Sequence, residues 1–170
     1  MKRLNFAYFI LFVFTQVAAA DCILSKGDSS FKINHKIVGS ISCEGTIGKG
    51  RTGFTEFHDS LGFFENGKMK KDQYIPQTFG TFDNGLIRLY EGNFISTLDI
   101  VGSYKNGVLR SGTSKNIADQ AVIGRVEKGF IIKEADGLFS SPKIIGSVEG
   151  SCSDGEMATA LLMLNYFKLD

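Results

Sequence analysis

The chain has 170 residues, a formal net charge of +1, fifteen Phe, twenty Gly, two Pro and no Trp. So even a charge balance lacks the broad basic face that a phosphate backbone requires, and nucleic acid is excluded as an expected partner. The apolar and aromatic content is too high for a disordered chain, and the length suits a single domain.

Residues Met1 to Ala20 read as a cleavable export signal. Lys2 and Arg3 supply the basic start, Leu4 to Val17 the apolar run, and Ala18-Ala19-Ala20 the small residues at the cut. The run is too short to span a bilayer, which takes about 20 apolar residues. Asp21 stands directly before Cys22, where a lipid-anchored cysteine needs a small residue. The expected mature domain is therefore 21–170, exported to a periplasm or secreted. It carries 17 basic against 18 acidic residues and no further membrane-spanning segment.

Ile23 to Glu44 reads as two strands around Lys26-Gly27-Asp28-Ser29-Ser30. His58-Asp59-Ser60 follows. Three adjacent residues do not make a catalytic triad, because such groups are assembled in space and strand neighbours point to opposite faces. A polar loop is the expected reading. His35 and His58 are the only histidines, and no Cys or His falls at metal-finger spacing, so neither metal nor cofactor is expected.

The middle of the chain repeats. Gly62-Phe63-Phe64-Glu65-Asn66-Gly67 recurs as Gly80-Thr81-Phe82-Asp83-Asn84-Gly85 and as Gly102-Ser103-Tyr104-Lys105-Asn106-Gly107. Gly124-Arg125-Val126-Glu127-Lys128-Gly129 is a weaker copy, and Gly39-Ser40-Ile41 and Gly146-Ser147-Val148 keep the Gly-x-apolar half. Asn-Gly between alternating residues signals a hairpin, because a type I′ turn needs positive φ at both central positions. With Asn66-Gly67, Asn84-Gly85 and Asn106-Gly107 as turns, the register follows. Glu65 faces Lys68 as an ion pair, Phe64 faces Met69, Phe82 faces Ile87, Tyr104 faces Leu109, and Val126 faces Ile131. Each such apolar pair contributes roughly 0.2–1 kcal/mol. A glycine two residues before every apolar partner suggests a bend repeated in each hairpin, curling the sheet. Lys68, Lys70 and Lys71 form a small basic cluster, expected to be a solvated edge.

The unit Gly-x-aromatic-x-Asn-Gly resembles MORN-type repeats, including bacterial variants found in some toxin–antitoxin-associated proteins. Tyr90-Glu91-Gly92-Asn93-Phe94 is similar to the opening of such a repeat, and the likeness covers roughly residues 60–133. The resemblance implies an elongated sheet of successive hairpins and a binding or scaffolding role. It carries no catalytic residues.

The C-terminus predicts a helix over 154–167, with Asp154 as N-cap and Glu156 in the first turn. Nearly all of its positions are apolar, so it is expected to plug or cap the sheet. Of Cys22, Cys43 and Cys152 at least one is unpaired or pairs between molecules. In an open meander Cys43 and Cys152 lie at opposite ends, beyond the roughly 7 Å reach of a disulfide, and Cys22–Cys43 is the expected bridge. In a closed barrel Cys43–Cys152 comes within reach.

These readings give a mainly β fold, a meander of hairpin repeats forming a curled open sheet or a barrel, with one C-terminal helix. A membrane barrel shares the alternation, but with five Tyr and no Trp the interfacial aromatic girdles are hard to find. The expected function is a non-enzymatic exported protein that binds another protein, in its specific form an immunity protein neutralising a toxin. The alternatives are a secreted hydrolase using His58 and a surface component that self-associates through Cys152 or the sheet edge.

Overall fold

A computed structural model describes residues 22–50, 60–71, 77–90, 98–135, 137 and 140–169. The export signal and His58-Asp59 fall outside them.

Four hairpins close through two-residue turns. They join β4 (Ser60–Glu65) to β5 (Lys68–Lys71), β6 (Gln77–Asp83) to β7 (Leu86–Tyr90), β8 (Leu98–Lys105) to β9 (Val108–Ser111), and β10 (Ala121–Glu127) to β11 (Phe130–Lys133). Asn66, Asn84, Asn106 and Lys128 have φ of 50, 50, 51 and 52°, and Gly67, Gly85, Gly107 and Gly129 have φ of 75, 84, 79 and 75°. Both central residues are left-handed, the turn whose twist matches that of the strands. The register pairs Phe64 with Met69, Phe82 with Ile87, Tyr104 with Leu109 and Val126 with Ile131. A fifth hairpin joins β2 (Lys36–Ile41) to β3 (Thr46–Lys49) through a longer turn and pairs Ile41 with Ile47.

The sixth hairpin is split between the chain ends. β12 (Lys143–Gly150) pairs with β1 (Cys22–Lys26), setting Val148 opposite Leu24. β1 also pairs with β2, so the twelve strands close into an antiparallel barrel. The elongated sheet implied by the repeat resemblance is thereby corrected. The two edges satisfy each other's backbone groups instead of facing solvent.

One irregularity drives the closure. Every junction between units carries a register shift beside an apolar-Gly step: Val38-Gly39, Leu61-Gly62, Phe79-Gly80, Val101-Gly102, Ile123-Gly124 and Ile145-Gly146. Bulges bend a strand and increase its twist, and six around a ring curl the sheet until its edges meet. Glycine is required because a cross-strand carbonyl lies where a Cβ would stand, that of Arg110 at Gly102 and that of Ser25 at Gly146. Adjacent units also share backbone bonds from a first-strand amide to the preceding turn glycine, as in Phe82 N to Gly67 O and Tyr104 N to Gly85 O, both 2.8 Å.

The second-strand partners Leu24, Ile47, Met69, Ile87, Leu109 and Ile131 form an inner ring, each at most 1% exposed. Burying each contributes roughly 1.5–3 kcal/mol. Strand neighbours alternate in direction, so Lys70, Arg88 and Arg110 point outward. Apolar inside and charged outside is the reverse of a membrane-spanning barrel.

Eight strands make a barrel that side chains alone can fill; twelve leave room for more. Helix α1 (Asp154–Met163) occupies that room. It packs on β2, β4, β6 and β8. The residues after it reach the remaining first strands, with Phe167 against Gly124 and Tyr166 against Gly146. A segment that touches all six first strands of a closed ring lies inside it. Gly155, Ala158, Thr159 and Ala160 keep the helix slim, and the Phe64 ring lies where a side chain on Gly155 would stand.

The helix begins one residue earlier in capping terms than the sequence predicts, and it ends sooner. Ser153, not Asp154, is the N-cap: its Oγ accepts from Glu156 N, and the Glu156 carboxylate accepts from Ser153 N at 2.8 Å. The helix stops at Met163, not Phe167. Asn165 turns left-handed at φ 52°, Asn165 N donates to Leu162 O, and Tyr166 N donates to Leu161 O. This Schellman closure folds Tyr166, Phe167 and Leu169 back across the lumen.

Tyr104 and Tyr166 are buried within this interior. Burial pushes both phenols above their ordinary value of 10, and the Asp154 carboxylate adds to the rise at Tyr104. The folded state therefore keeps protons that the unfolded chain has released above pH 10. Stability is complete below that pH and falls as pH rises toward the folded pKa, by about 1.4 kcal/mol per pH unit for each tyrosine. Alkaline titration with phenolate absorbance is expected to show Tyr104 and Tyr166 ionising together with unfolding. Tyr166→Phe is expected to flatten the slope. Ionisation of both near pH 10 with the fold intact would refute their burial.

Candidate functional site

The connection 27–35 between β1 and β2 does not loop into solvent. It runs back along the outer wall over β11 and β12. Gly27 N donates to Ile145 O at 3.2 Å, and the His35 ring leaves no space for a Cβ at Gly27. His35 Nε2 lies 2.8 Å from Ser29 O and Nδ1 lies 2.8 Å from Ser147 Oγ. A carbonyl only accepts, so Nε2 carries the proton, and in the neutral ring Nδ1 accepts from the Ser147 hydroxyl. Ser29 Oγ accepts from Phe31 N and from Asn34 Nδ2 at 3.0 and 3.2 Å. The Lys32 ammonium sits 5.4 Å from the centre of the Phe130 ring, and His35 meets the same ring edge-on.

The outcome is a fixed strap whose short 3₁₀ turn, Lys32–Asn34, and its N-cap residue Phe31 hold two apolar side chains in solvent. Phe31 is 68% exposed and Ile33 is 93% exposed.

A second strap on the same barrel shows what the scaffold itself requires. The connection 112–120 between β9 and β10 has the same length and repeats three of the same bonds. Gly112 N donates to Val101 O at 3.0 Å, as Gly27 does to Ile145. Asn116 N donates to Ser114 Oγ at 3.1 Å, as Phe31 does to Ser29. Gln120 Nε2 donates to Ser114 O at 2.7 Å, taking the place of His35 Nε2. Buried and exposed positions follow the same order in both. Where the first strap carries Phe31 and Ile33, the second carries Asn116 and Ala118. Asn116 Oδ1 also caps its turn, accepting from Ala118 N at 3.2 Å, whereas the bonds the two straps share use neither the Phe31 nor the Ile33 side chain, so the exposed Phe and Ile are not a folding requirement. Gly27-Asp28-Ser29 and Gly112-Thr113-Ser114 were the sequence signal for this pairing, and it lies outside the repeat that the hairpins reveal.

The other candidates fall elsewhere. The bridge is Cys22–Cys152, not Cys22–Cys43, with Cα atoms 6.0 Å apart. Closure brings β1 beside β12 and the chain leaving it, a proximity that an open meander does not provide. Cys43 is free and exposed in the turn between β2 and β3. Glu65 lies opposite Lys68 in the register, but its ion pair is with Lys70 at 2.8 Å. Lys70 shares a strand face with Lys68, and its hydrogen bond and charge hold the Glu65 carboxyl below the usual carboxylate range. Lys70 also lies over Phe63 and Lys71 over Phe79, so the basic cluster is divided among separate partners. The turn pairs Asn66-Gly67, Asn84-Gly85 and Asn106-Gly107 all sit at one end of the barrel, and Asp154 accepts from Asn106 N there at 3.2 Å. His58 lies outside the described residues. Among the described residues no three His, Cys, Asp or Glu come together as a metal site, and no helix is long and apolar enough to cross a membrane.

No protein-family model, curated protein or solved structure matches the chain.

Proposed function

We propose that the protein is an exported, non-enzymatic binding protein that docks another protein on the apolar tip of its first strap. The observation that carries this reading is the contrast between the two straps. Equivalent scaffolds present Phe31 and Ile33 in one copy and Asn116 and Ala118 in the other. A rigid support with an aromatic anchor loses little entropy on binding, and such residues commonly carry most of an interface's energy. Export is supported by the Cys22–Cys152 bridge, which persists in oxidising compartments. The lumen is filled by the chain's own helix, which leaves the outer wall for recognition. The hairpin units are also what a degenerate MORN-type repeat would build. In its specific form, the partner is a toxin and the protein its immunity factor.

Crosslinked capture from the envelope or secreted fraction tests the reading. The native protein is expected to recover one dominant partner at near-equal ratio. Phe31→Ser with Ile33→Ser is expected to weaken that capture by about thirtyfold, a hot-spot loss of about 2 kcal/mol. Asn116→Ser with Ala118→Ser is expected to leave it unchanged. Equal capture by all three proteins would remove the strap from the interface. If loss of the protein leaves cells no more sensitive to any neighbouring effector, the immunity form fails.

A further inference from the structure

The two straps differ in the joint that each one spans. The first strap leaves β1 after Lys26 and is tied to β12. Gly27 N donates to Ile145 O at 3.2 Å, Ser147 Oγ lies 2.8 Å from His35 Nδ1, and Lys32 Nζ donates to Val148 O at 3.5 Å. The strap therefore bridges the β1–β12 pair from outside before it returns to β2. The second strap leaves β9 and is tied to β8 through Gly112 N and Val101 O, so it bridges the β8–β9 pair. That pair is joined by the Asn106-Gly107 turn, whose peptide bonds no reductant opens. The β1–β12 pair has no turn. Its covalent closure is the bridge between Cys22 and Cys152, 130 positions apart. The strap with the apolar tip thus spans the joint that can be unlinked, and the strap with the polar tip spans one that cannot.

A link between two strand ends raises their effective concentration, and its loss lets the pair part more often. When β1 and β12 part, Gly27 moves with β1 while Ile145 and Ser147 move with β12. The first strap then loses its hold on the wall. The bonds from Ser29 to Phe31 and Asn34 are exposed and run within the strap, so they do not replace that hold.

We propose that the first strap is redox-gated: the Cys22–Cys152 bridge keeps Phe31 and Ile33 in their docking position, and reduction by a dithiol releases them. Cys22 is fully buried, but Cys152 is half-buried and is the sulfur open to attack. One thiolate of the dithiol attacks Cys152 Sγ, and the Cys22 sulfur leaves as a thiolate and takes up a proton. The second thiol of the reagent then frees Cys152, and the reagent ends as a disulfide. Two electrons and two protons pass to the two cysteines. The consequence for binding rests on the docking reading: the protein engages its partner in its oxidised form, and a chain held in a reducing compartment lacks a fixed tip.

Amide hydrogen exchange tests the gate without any partner. Cys43→Ser, at an exposed turn position, removes the third thiol and serves as the parent. Exchange at Gly27 and His35 is compared with exchange at their counterparts Gly112 and Gln120, before and after dithiothreitol. Reduction is expected to speed exchange at Gly27 and His35 by about tenfold or more, and to change Gly112 and Gln120 by less than about twofold. Cys152→Ala on the same parent is expected to show the fast first-strap pattern with or without dithiothreitol. The proposal is overturned if neither strap responds, or if both respond alike, as they do when loss of the bridge unfolds the whole barrel. In crosslinked capture the Cys152→Ala protein is expected to lose the partner as fully as Phe31→Ser with Ile33→Ser does. Equal capture by the parent and by Cys152→Ala would overturn the gate as a control of docking. If the exchange contrast holds while capture is indifferent to Phe31 and Ile33, the docking reading falls and the gate on the strap stands.

Discussion

Replacing Cys152 with alanine is expected to lower the stability by about 3–5 kcal/mol, the largest single loss that one side chain outside the apolar core can cause here. The bridge joins residues separated by 130 positions, so it closes nearly the whole described chain into one loop. Chain-entropy arguments give a larger gain for longer loops, and they place a loop of this size at the upper end of the range. Topology adds to this. The last hairpin has no turn, because its two strands come from opposite ends of the chain. In the other five units a short turn holds the pair together. In the sixth, the disulfide stands in for it. Cys22 is also fully buried and packs with the inner ring, so alanine there would mix a cavity into the measurement. Cys152→Ala is the cleaner variant. The check is a denaturant transition of the native protein with and without reductant, alongside the variant. The native protein should lose stability on reduction and the variant should not respond. Thiol titration of the folded native protein should count one thiol, that of Cys43. An unchanged midpoint on reduction would mean that the barrel closes without its clasp.

Gly102→Ala is the second substitution expected to cost a great deal, about 2–3 kcal/mol or more. At this position the carbonyl of Arg110 occupies the site of the new methyl group, and the Leu169 side chain closes the lumen side at 3.3 Å. The obstacle is backbone, which cannot rotate away. Relief requires either opening the β8–β9 pair or expelling the plug. Gly146→Ala meets the Ser25 carbonyl and the Tyr166 ring and is expected to behave alike. Gly137→Ala is the control, because no described residue lies within 4 Å of its Cβ position. It is expected to change stability by no more than about 0.5 kcal/mol. Equal effects at the three positions, measured by denaturant titration, would show that the glycines only confer backbone freedom and that the close approach is absent.

The hairpins were legible because their cause is local. Asn66-Gly67 and its copies specify a turn within a few residues, and the turn fixes which side chains face each other. The glycine two residues ahead of each apolar partner was legible as a bend, since few other roles for a strand glycine recur at fixed register. Closure was not legible in the same way. It depends on Leu24 meeting Val148 from the far end of the chain, and no local pattern marks that pairing. The error in the disulfide follows from this, because Cys22 reaches Cys152 only after β1 has completed the sixth unit. The apolar composition of 154–167 correctly announced a buried helix, but its end did not show, since Asn165 is a weaker stop signal than glycine. The strap was hidden for another reason. Its equivalence to 112–120 rests on Gly27, Ser29 and His35 against Gly112, Ser114 and Gln120, with different residues between them. Only the hydrogen bonds make the likeness plain.

The fold is a closed barrel with its own C-terminus inside it. The most direct measurement is the set of proton–proton contacts made by the plug in the oxidised protein. Leu164 methyls should show contacts to the Hα of Gly39 on β2, and Phe167 ring protons to the Hα of Gly124 on β10. β2 and β10 lie four strands apart around the ring by way of β1, with β11 and β12 also between them. A segment this short can meet both glycines only from within the lumen. Both contacts together are the predicted result. Contacts to neither glycine, with sharp resonances from Leu164 to Leu169 at solvent-like shifts, would place the C-terminus outside and contradict the fold.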